Sequence, residues 1–260
     1  MRTVLVIAAR EVLEQTRQRG MVGTVATLYG AIGGMIAFIL VQLDHIAKDP
    51  ERVALLARNL ETAGVRGGMS VEAIAGSGVA AFNFLTFMQV LGIAGMLAGH
   101  GVLHDRQCGT LPFLLLAPVR RAQLLAGKVL GAVALPLSLS LLGNGLVGAV
   151  IGRLDVAAPY ADRLPPAPGW LAAFLLGGPA WTLFVATLCA IVSSWARDVR
   201  TAQQGVVFVV TGSTVVCGVL LNGLVPQGAA VQVAVAAVGL AGAIAALYVG
   251  SQLMSRDVAR

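Results

Sequence analysis

Charged residues are scarce in this chain of 260 residues. Asp, Glu, Lys and Arg together make up 12% of it, aromatic residues 5% and hydrophobic residues 57%. Soluble domains contain about 25% charged and about 45–50% apolar residues. So few charges cannot cover the surface of a soluble domain, and a mean hydropathy of +0.85 indicates a protein that crosses a membrane several times.

Long uncharged stretches divide the chain. A helix needs about 20 apolar residues to cross a bilayer, and six runs of this length lie at 21–43, 79–99, 129–151, 170–192, 205–225 and 229–250. None of the 18 Lys and Arg or the 12 Asp and Glu residues falls within them. The sequence therefore predicts an all-α protein with six transmembrane helices in one membrane domain over residues 1–260.

The cations are distributed unevenly among the segments that connect these runs. If the amino terminus is cytoplasmic, the inner segments 1–20, 100–128, 193–204 and 251–260 hold 12 of the 18 Lys and Arg residues. Inner segments of membrane proteins are enriched in cations, so both termini are predicted to be cytoplasmic. The pI of 9.9 then reflects this topology and contact with anionic lipid, and nucleic acid is not an expected partner.

The first 20 residues do not have the pattern of a signal peptide, because charges are spread throughout them and no separate apolar core is present. Leu5, Ala8 and Val12 recur at helical spacing, whereas Arg10 and Glu14 fall on other faces. This pattern predicts an amphipathic helix that lies along the inner leaflet before the first span.

The three cysteines do not suggest a disulfide framework. Cys108 is on an inner segment, and Cys189 and Cys217 fall within runs, so no external pair exists. His100, His104 and Cys108 are spaced so that one helix face could present all three to a metal. However, the glycines on either side of His100 weaken a helix there and no fourth ligand is evident, so no metal site is predicted.

Motifs for catalysis and ion coupling are also absent. The sequence contains no HExxH pair, no GxSxG elbow and no pair of aspartates within a run. Gly127 and Lys128 are followed by Val129 rather than by Ser or Thr, and Ala122 stands where a P-loop has its first glycine. No ionisable side chain lies within the runs, where ion-coupled transporters generally carry one, and no pore-lining pattern of a channel is visible. The chain is therefore predicted not to be an enzyme and to bind no cofactor itself.

The segment between the second and third runs, 105–128, is basic and rich in leucine. Asp105 and Arg106 are followed by Gly109-Thr110-Leu111, an apolar stretch, Pro118-Val119, Arg120-Arg121 and Gly127-Lys128. This series resembles the ABC type-2 permease family, the membrane subunits of many ATP-binding-cassette exporters. The chain departs from the family pattern at Pro112, where many members carry an acid. Because proline suits the first turn of a helix, a short cytoplasmic helix is predicted at about 112–117, ended by Pro118.

The resemblance implies that this helix couples the permease to a separate ATPase subunit, which would bind ATP and Mg. Apolar side chains would form the buried contact and arginines its rim. The residues implied in coupling are Asp105, Arg106, Gly109, Thr110, Leu111, Phe113, Leu114, Leu115, Pro118, Arg120 and Arg121. A weaker likeness to the family's second cytoplasmic loop adds Arg197, Asp198 and Gln203. Alternatively, the leucines of the segment pack on the chain's own helix ends.

The resemblance further implies an exporter in a prokaryotic inner or plasma membrane. A second copy or a paralogue would pair with this chain through the first and fifth spans. Gly30 and Gly34 fit such an interface, because small residues four positions apart let helix backbones approach closely. Two other functions remain open: a non-transporting subunit that works with an ATPase in cytochrome or envelope assembly, and an ion-coupled secondary transporter. The sequence does not indicate the cargo.

Overall fold

A computed structural model of the chain describes residues 2–17, 19–62, 70–109, 119–196, 198–224 and 229–257. These residues are helical or lie in turns, as predicted for an all-α protein. The α-helices are α1 (Arg2–Arg17), α2 (Arg19–Ala47), α3 (Pro50–Thr62), α4 (Val71–Gln107), α5 (Arg121–Ile151), α6 (Pro168–Trp195), α7 (Val199–Leu224) and α8 (Ala229–Asp257). A 3-10 helix, Asp155–Arg163, lies between α5 and α6.

Five stretches of these helices are long and apolar enough to cross a membrane. They are Ala26–Ala47, Val71–Asp105, Arg121–Ile151, Pro168–Trp195 and Ala230–Gln252, and each overlaps one of the predicted runs. The remaining run, 205–225, falls on α7, which is a helix of 26 residues but is not among these five. The count of six spans therefore stays a prediction.

The helices extend well beyond the apolar runs. At 1.5 Å per residue, the 37 residues of α4 span about 55 Å, compared with about 30 Å for the hydrocarbon core of a bilayer. The expectation that the glycines around His100 weaken the helix is wrong, since α4 continues through them to Gln107. Gly99 packs closely on α7, where an added Cβ would lie 2.6 Å from a methyl group of Val206. Tertiary packing thus offsets the low helix propensity of glycine.

α4 lies at the centre of the bundle and contacts α2, α5, α6 and α7. Small buried residues, including Ala94 and Ala98 of α4 and Ala186 and Ala190 of α6, form the core where it meets α5 and α6. Because lipid tails are as apolar as leucine, helices in a membrane associate through close packing rather than through a hydrophobic driving force. The small residues make that packing close.

The end of the bundle predicted to be external is capped by the segment between α5 and α6. This segment was predicted to be irregular, but much of it forms the 3-10 helix. Asp44 near the end of α2 accepts a hydrogen bond from the Val156 amide at 3.0 Å. Lys48 forms ion pairs with Asp44 at 2.7 Å and with Asp155 at 3.0 Å. These three residues, the Lys48 triad, join α2 to the 3-10 helix.

Candidate functional site

The structure describes only the two ends of the predicted coupling segment. Asp105 is buried in the last turns of α4, and Arg106 belongs to the same helix. Gly109 follows α4 with a φ of +68°, a conformation that glycine adopts without strain and that commonly ends helices. Arg120 caps the start of α5, where its amide donates to Oε1 of Gln123 at 3.3 Å, and Arg121 is the first residue of that helix. The predicted helix at 112–117 lies outside the described residues, as do Thr110, Leu111, Phe113, Leu114, Leu115 and Pro118.

A buried cluster of charges lies beside these two ends. The ammonium group of Lys128, on α5, forms an ion pair with Oε1 of Glu11 on α1 at 2.6 Å and a second one with Oδ2 of Asp105 on α4. The exposed fractions of the three side chains are 8% for Lys128, 15% for Glu11 and 12% for Asp105. We call these residues the Lys128 triad. It joins three helices at one point, next to the coupling segment.

Removing one member of the Lys128 triad is expected to be costly. Charged side chains are rarely buried unless they are paired, and deleting one partner of a buried pair costs about 3–5 kcal/mol because the other charge is left uncompensated. A pair such as Arg10 and Glu14, whose side chains are 60% and 48% exposed, typically contributes less than about 1 kcal/mol. The buried cluster is therefore the stronger constraint on how the helices are placed.

Two glycines allow α1 to pack directly on α5. A Cβ added to Gly127 would lie 2.7 Å from Cβ of Ile7, and one added to Gly131 would lie 3.0 Å from the carbonyl oxygen of Ala8. Any larger side chain at these positions would push the two helices apart. The four-residue spacing of these glycines thus serves a contact within the chain.

The packed face of α1 differs from the predicted one. Ala8 and Val12 are partly buried as expected, but Leu5 is 63% exposed. The polar residues Glu11 and Gln15 turn inward instead, and Gln15 is buried. α1 is a helix as predicted, and its contact with lipid stays a prediction.

Glu11 is the member of the site that the sequence interpretation missed. Its charge was counted among those spread along the leader. The available signal was Lys128, which lies in α5 between the apolar residues Leu125 and Val129 and close to small ones. A lysine in such surroundings requires a buried acid, although the spacing alone does not say which one.

The second cytoplasmic loop forms the start of α7. Asp198 caps this helix: its carboxylate accepts hydrogen bonds from the Thr201 amide at 2.7 Å and from the Thr201 hydroxyl at 3.0 Å. The hydrogen bond from the amide, followed by that from the hydroxyl, lowers the pKa of the Asp198 carboxyl below its ordinary value of 3.8. Arg197 lies outside the described residues. The structure therefore gives Asp198 a local role as a helix cap.

Replacing Asp198 with alanine is expected to loosen the first turn of α7. Loss of a capping carboxylate costs about 1 kcal/mol, so amide exchange there should accelerate about fivefold, as measured by hydrogen exchange and mass spectrometry. Asp198→Asn is the matched control, because asparagine caps helices about as well as aspartate.

The contribution of the carboxylate also depends on pH. Because its pKa is lowered by folding, the contribution is complete above the ordinary pKa and disappears as the pH falls through the lowered pKa. Equal exchange in the wild type and in Asp198→Ala at neutral pH would contradict the capping role.

A cavity of about 430 Å³ lies between the predicted cytoplasmic ends of α4 and α6 and the start of α7. Its polar lining residues are His100, Ser193 and Gln203, and the others, such as Met96 and Val207, are apolar or glycine. The Ser193 hydroxyl is already used, since it donates to the Gly99 carbonyl at 2.6 Å. His100 and Gln203 are thus the polar groups that a molecule in the cavity would meet.

The face of α4 that carries His100, His104 and Cys108 is continuous. The rings of His100 and His104 stack with their centroids 6.3 Å apart, and the Cys108 sulfur lies 3.6 Å from Nε2 of His104. No group of three or more His, Cys, Asp or Glu residues in the described part of the chain is arranged to hold a metal ion.

Gly30 and Gly34 lie on an exposed face of α2. A Cβ at either position would meet nothing within 4 Å, whereas one at Gly33 would lie 3.2 Å from a methyl group of Val147 on α5. Met35 and Phe38, on the same outer side of the helix, are 57% and 64% exposed. Gly33 therefore serves packing within the chain, and Gly30 and Gly34 are free to contact lipid or another chain.

Long apolar helices, a central α4 and buried charges at one end of the bundle define a multi-pass integral membrane protein. Over residues 5–254 the chain matches the model of a family described as ABC-2 family transporter protein. The chain belongs to this family, as the motif series around residues 105–128 predicted. Its members are membrane subunits of ABC transporters, generally without an ATPase motif of their own, and the family implies association with an ATP-binding subunit. No curated protein and no solved structure matches the chain significantly.

Proposed function

We propose that this protein is the permease subunit of an ATP-binding-cassette exporter in a prokaryotic inner membrane. ATP and Mg bind to a separate nucleotide-binding subunit, and hydrolysis there moves a substrate across the membrane. The family match over nearly the whole chain is the observation that carries this proposal. The protein has six spans and cytoplasmic termini, and it pairs with a second copy or with a paralogue.

The geometry at both ends of segment 105–121 supports a coupling role for it. The segment is short and leaves α4 and enters α5 at turns that are fixed by Gly109 and by the cap at Arg120. A force on the segment therefore acts directly on two long helices that reach the opposite side of the bundle. Leucines provide an apolar anchor and arginines a polar rim, which is the usual composition of a protein interface.

Transport into inverted membrane vesicles tests the proposed function. We expect ATP-dependent uptake of at least one member of a panel of lipids, drugs and polysaccharide precursors when the chain and its ATPase subunit are produced together. A variant ATPase that binds but does not hydrolyse ATP is the control. ATPase binding without ATP-dependent uptake of any panel member would favour the assembly function, and uptake driven by an ion gradient alone would favour a secondary transporter.

The cavity beside the second cytoplasmic loop is the proposed binding place for cargo. It combines an apolar lining with His100 and Gln203, which suits an amphipathic molecule taken from the inner leaflet. Val207→Trp is expected to fill the cavity without disturbing the core, because Val207 is 49% exposed. Uptake into vesicles should fall several-fold.

Leu146→Trp on α5 is the matched control for the cavity. Leu146 is 71% exposed and is not among the residues that line the cavity, so this variant should transport like the wild type. Equal loss of uptake in both variants would mean that the added bulk, rather than the filled cavity, impairs transport.

A further inference from the structure

We propose that Lys128 is a positioning residue that joins α1, the end of α4 and the start of α5 into one rigid unit. Movement of the coupling segment would then reach the first span through α1. The inference rests on the proposed function, because the movement originates in an ATPase subunit. Its distinct content is that a single ammonium group holds three helices together while they move.

The position of the Lys128 triad in the chain favours this role. Asp105 lies four residues before Gly109, where α4 gives way to the coupling segment, and Lys128 lies seven residues after Arg121, the first residue of α5. Their ion pair therefore closes the base of the coupling segment. The two helix ends cannot separate unless this pair breaks.

The second ion pair attaches α1 to the same point. Glu11 and Lys128 are 117 residues apart in the chain, and their charged atoms are 2.6 Å apart. The ammonium group has three N–H donors, which allows it to serve both carboxylates at once. Because all three side chains are at least 85% buried, water and salt screen these attractions much less than they screen an exposed pair.

Close packing makes the attachment rigid rather than only attractive. Gly127 and Gly131 on either side of Lys128 bring α5 against the backbone of α1. Protein interiors packed in this way transmit displacement instead of absorbing it. Only one residue separates α1 from α2, which begins at Arg19, so a displacement of α1 is passed on to the first span.

The Lys48 triad provides a matched control within the same chain. It also consists of one lysine and two aspartates or glutamates, and it joins α2 to the 3-10 helix that follows α5. It lies at the other end of α5, about 35 Å from Lys128 at 1.5 Å per residue. Lys48 is 56% exposed, and it has no contact with the elements that bound the coupling segment.

Distances between spin labels test the inference in the complete complex. In a background without native cysteines, labels are placed at Leu13 and Ala122 to report on α1 and α5, and at Gln107 and Ala122 to report on α4 and α5. All three positions are exposed. The complex with its ATPase subunit is measured in lipid nanodiscs by pulsed electron double resonance, without nucleotide and with trapped ATP.

In the wild-type triad, both distances should stay within about 2 Å between the two states, the size of a small helix shift. Lys128→Met should make both distances differ between the states by about 5 Å or broaden them to that extent, as for one helical turn. Glu11→Met leaves the pair of Asp105 and Lys128 balanced, so it should release only the label on Leu13. Lys48→Met should change neither distance.

The outcomes separate this inference from the proposed function. Failure of the ATPase subunit to bind the wild-type chain would overturn the proposed function and the inference with it. Binding accompanied by a change of about 5 Å between α1 and α5 in the wild type would overturn the inference alone. Narrow, unchanged distances in both Lys128→Met and Glu11→Met would also overturn it, because packing without the charges would then be sufficient.

Discussion

The Leu114→Asp variant is expected to lose its ATPase subunit during purification in detergent. Leu114 lies in the middle of the predicted coupling helix at 112–117, where apolar side chains are proposed to fill a groove on the partner. Burying an unpaired carboxylate there costs about 3 kcal/mol or more, which corresponds to a roughly 100-fold weaker complex. The amount of ATPase subunit recovered with a tagged permease measures the effect.

Two control variants distinguish loss of the interface from other effects of the substitution. Leu114→Met keeps an apolar side chain of similar volume, so it should retain the partner. Thr16→Asp adds the same charge at an exposed position of α1 outside the segment and should also retain it. Undiminished recovery of the ATPase subunit with Leu114→Asp would refute the coupling role of the segment and favour packing of its leucines on the chain's own helix ends.

Replacing Gly30 and Gly34 together by leucine is expected to convert the purified permease from dimer to monomer. Neither new Cβ would meet another atom of the same chain within 4 Å, so the protomer should keep its fold. A closely packed helix pair, in contrast, has no space for two leucines. We expect the dissociation constant of the dimer to rise at least about tenfold, equivalent to about 1.4 kcal/mol, as measured by single-molecule photobleaching in liposomes.

Gly145→Leu on α5 is the matched control for the dimer interface. A Cβ at Gly145 likewise meets nothing within 4 Å, but α5 is not one of the spans through which the family resemblance places the partner. This variant should remain dimeric. If Gly30→Leu/Gly34→Leu and the control have the same oligomeric state as the wild type, the exposed face of α2 contacts lipid rather than a second chain.

Most of the helices could be predicted from hydropathy, whereas their ends could not. The apolar runs follow from the composition of about 20 consecutive residues, because each side chain has its own free energy of transfer into lipid. The ends depend on backbone hydrogen bonds and on packing. α4 therefore continues through Gly99 and past Asp105 to Gln107, where the apolar pattern has already stopped.

The site was predictable in part for the same reason. Asp198 and Gly109 were chosen from a motif, and the structure gives both a local role at a helix terminus. The sequence placed Lys128 at the mouth of a span and read Glu11 as one charge of the leader. Their ion pair is a contact between distant parts of the chain, and no periodicity within α1 or α5 encodes it.

The sequence by itself determined that this protein is a multi-pass membrane protein of the ABC-2 transporter family, because hydropathy and a linear motif are properties of neighbouring residues. Only the tertiary structure decided that Lys128 joins Glu11 to Asp105, and that Gly127 and Gly131 serve α1 while Gly30 and Gly34 remain exposed. Both decisions depend on how α1 and α5 pack. A buried ammonium group needs its carboxylates within about 3 Å, and only the packed helices bring residues 117 positions apart to that distance.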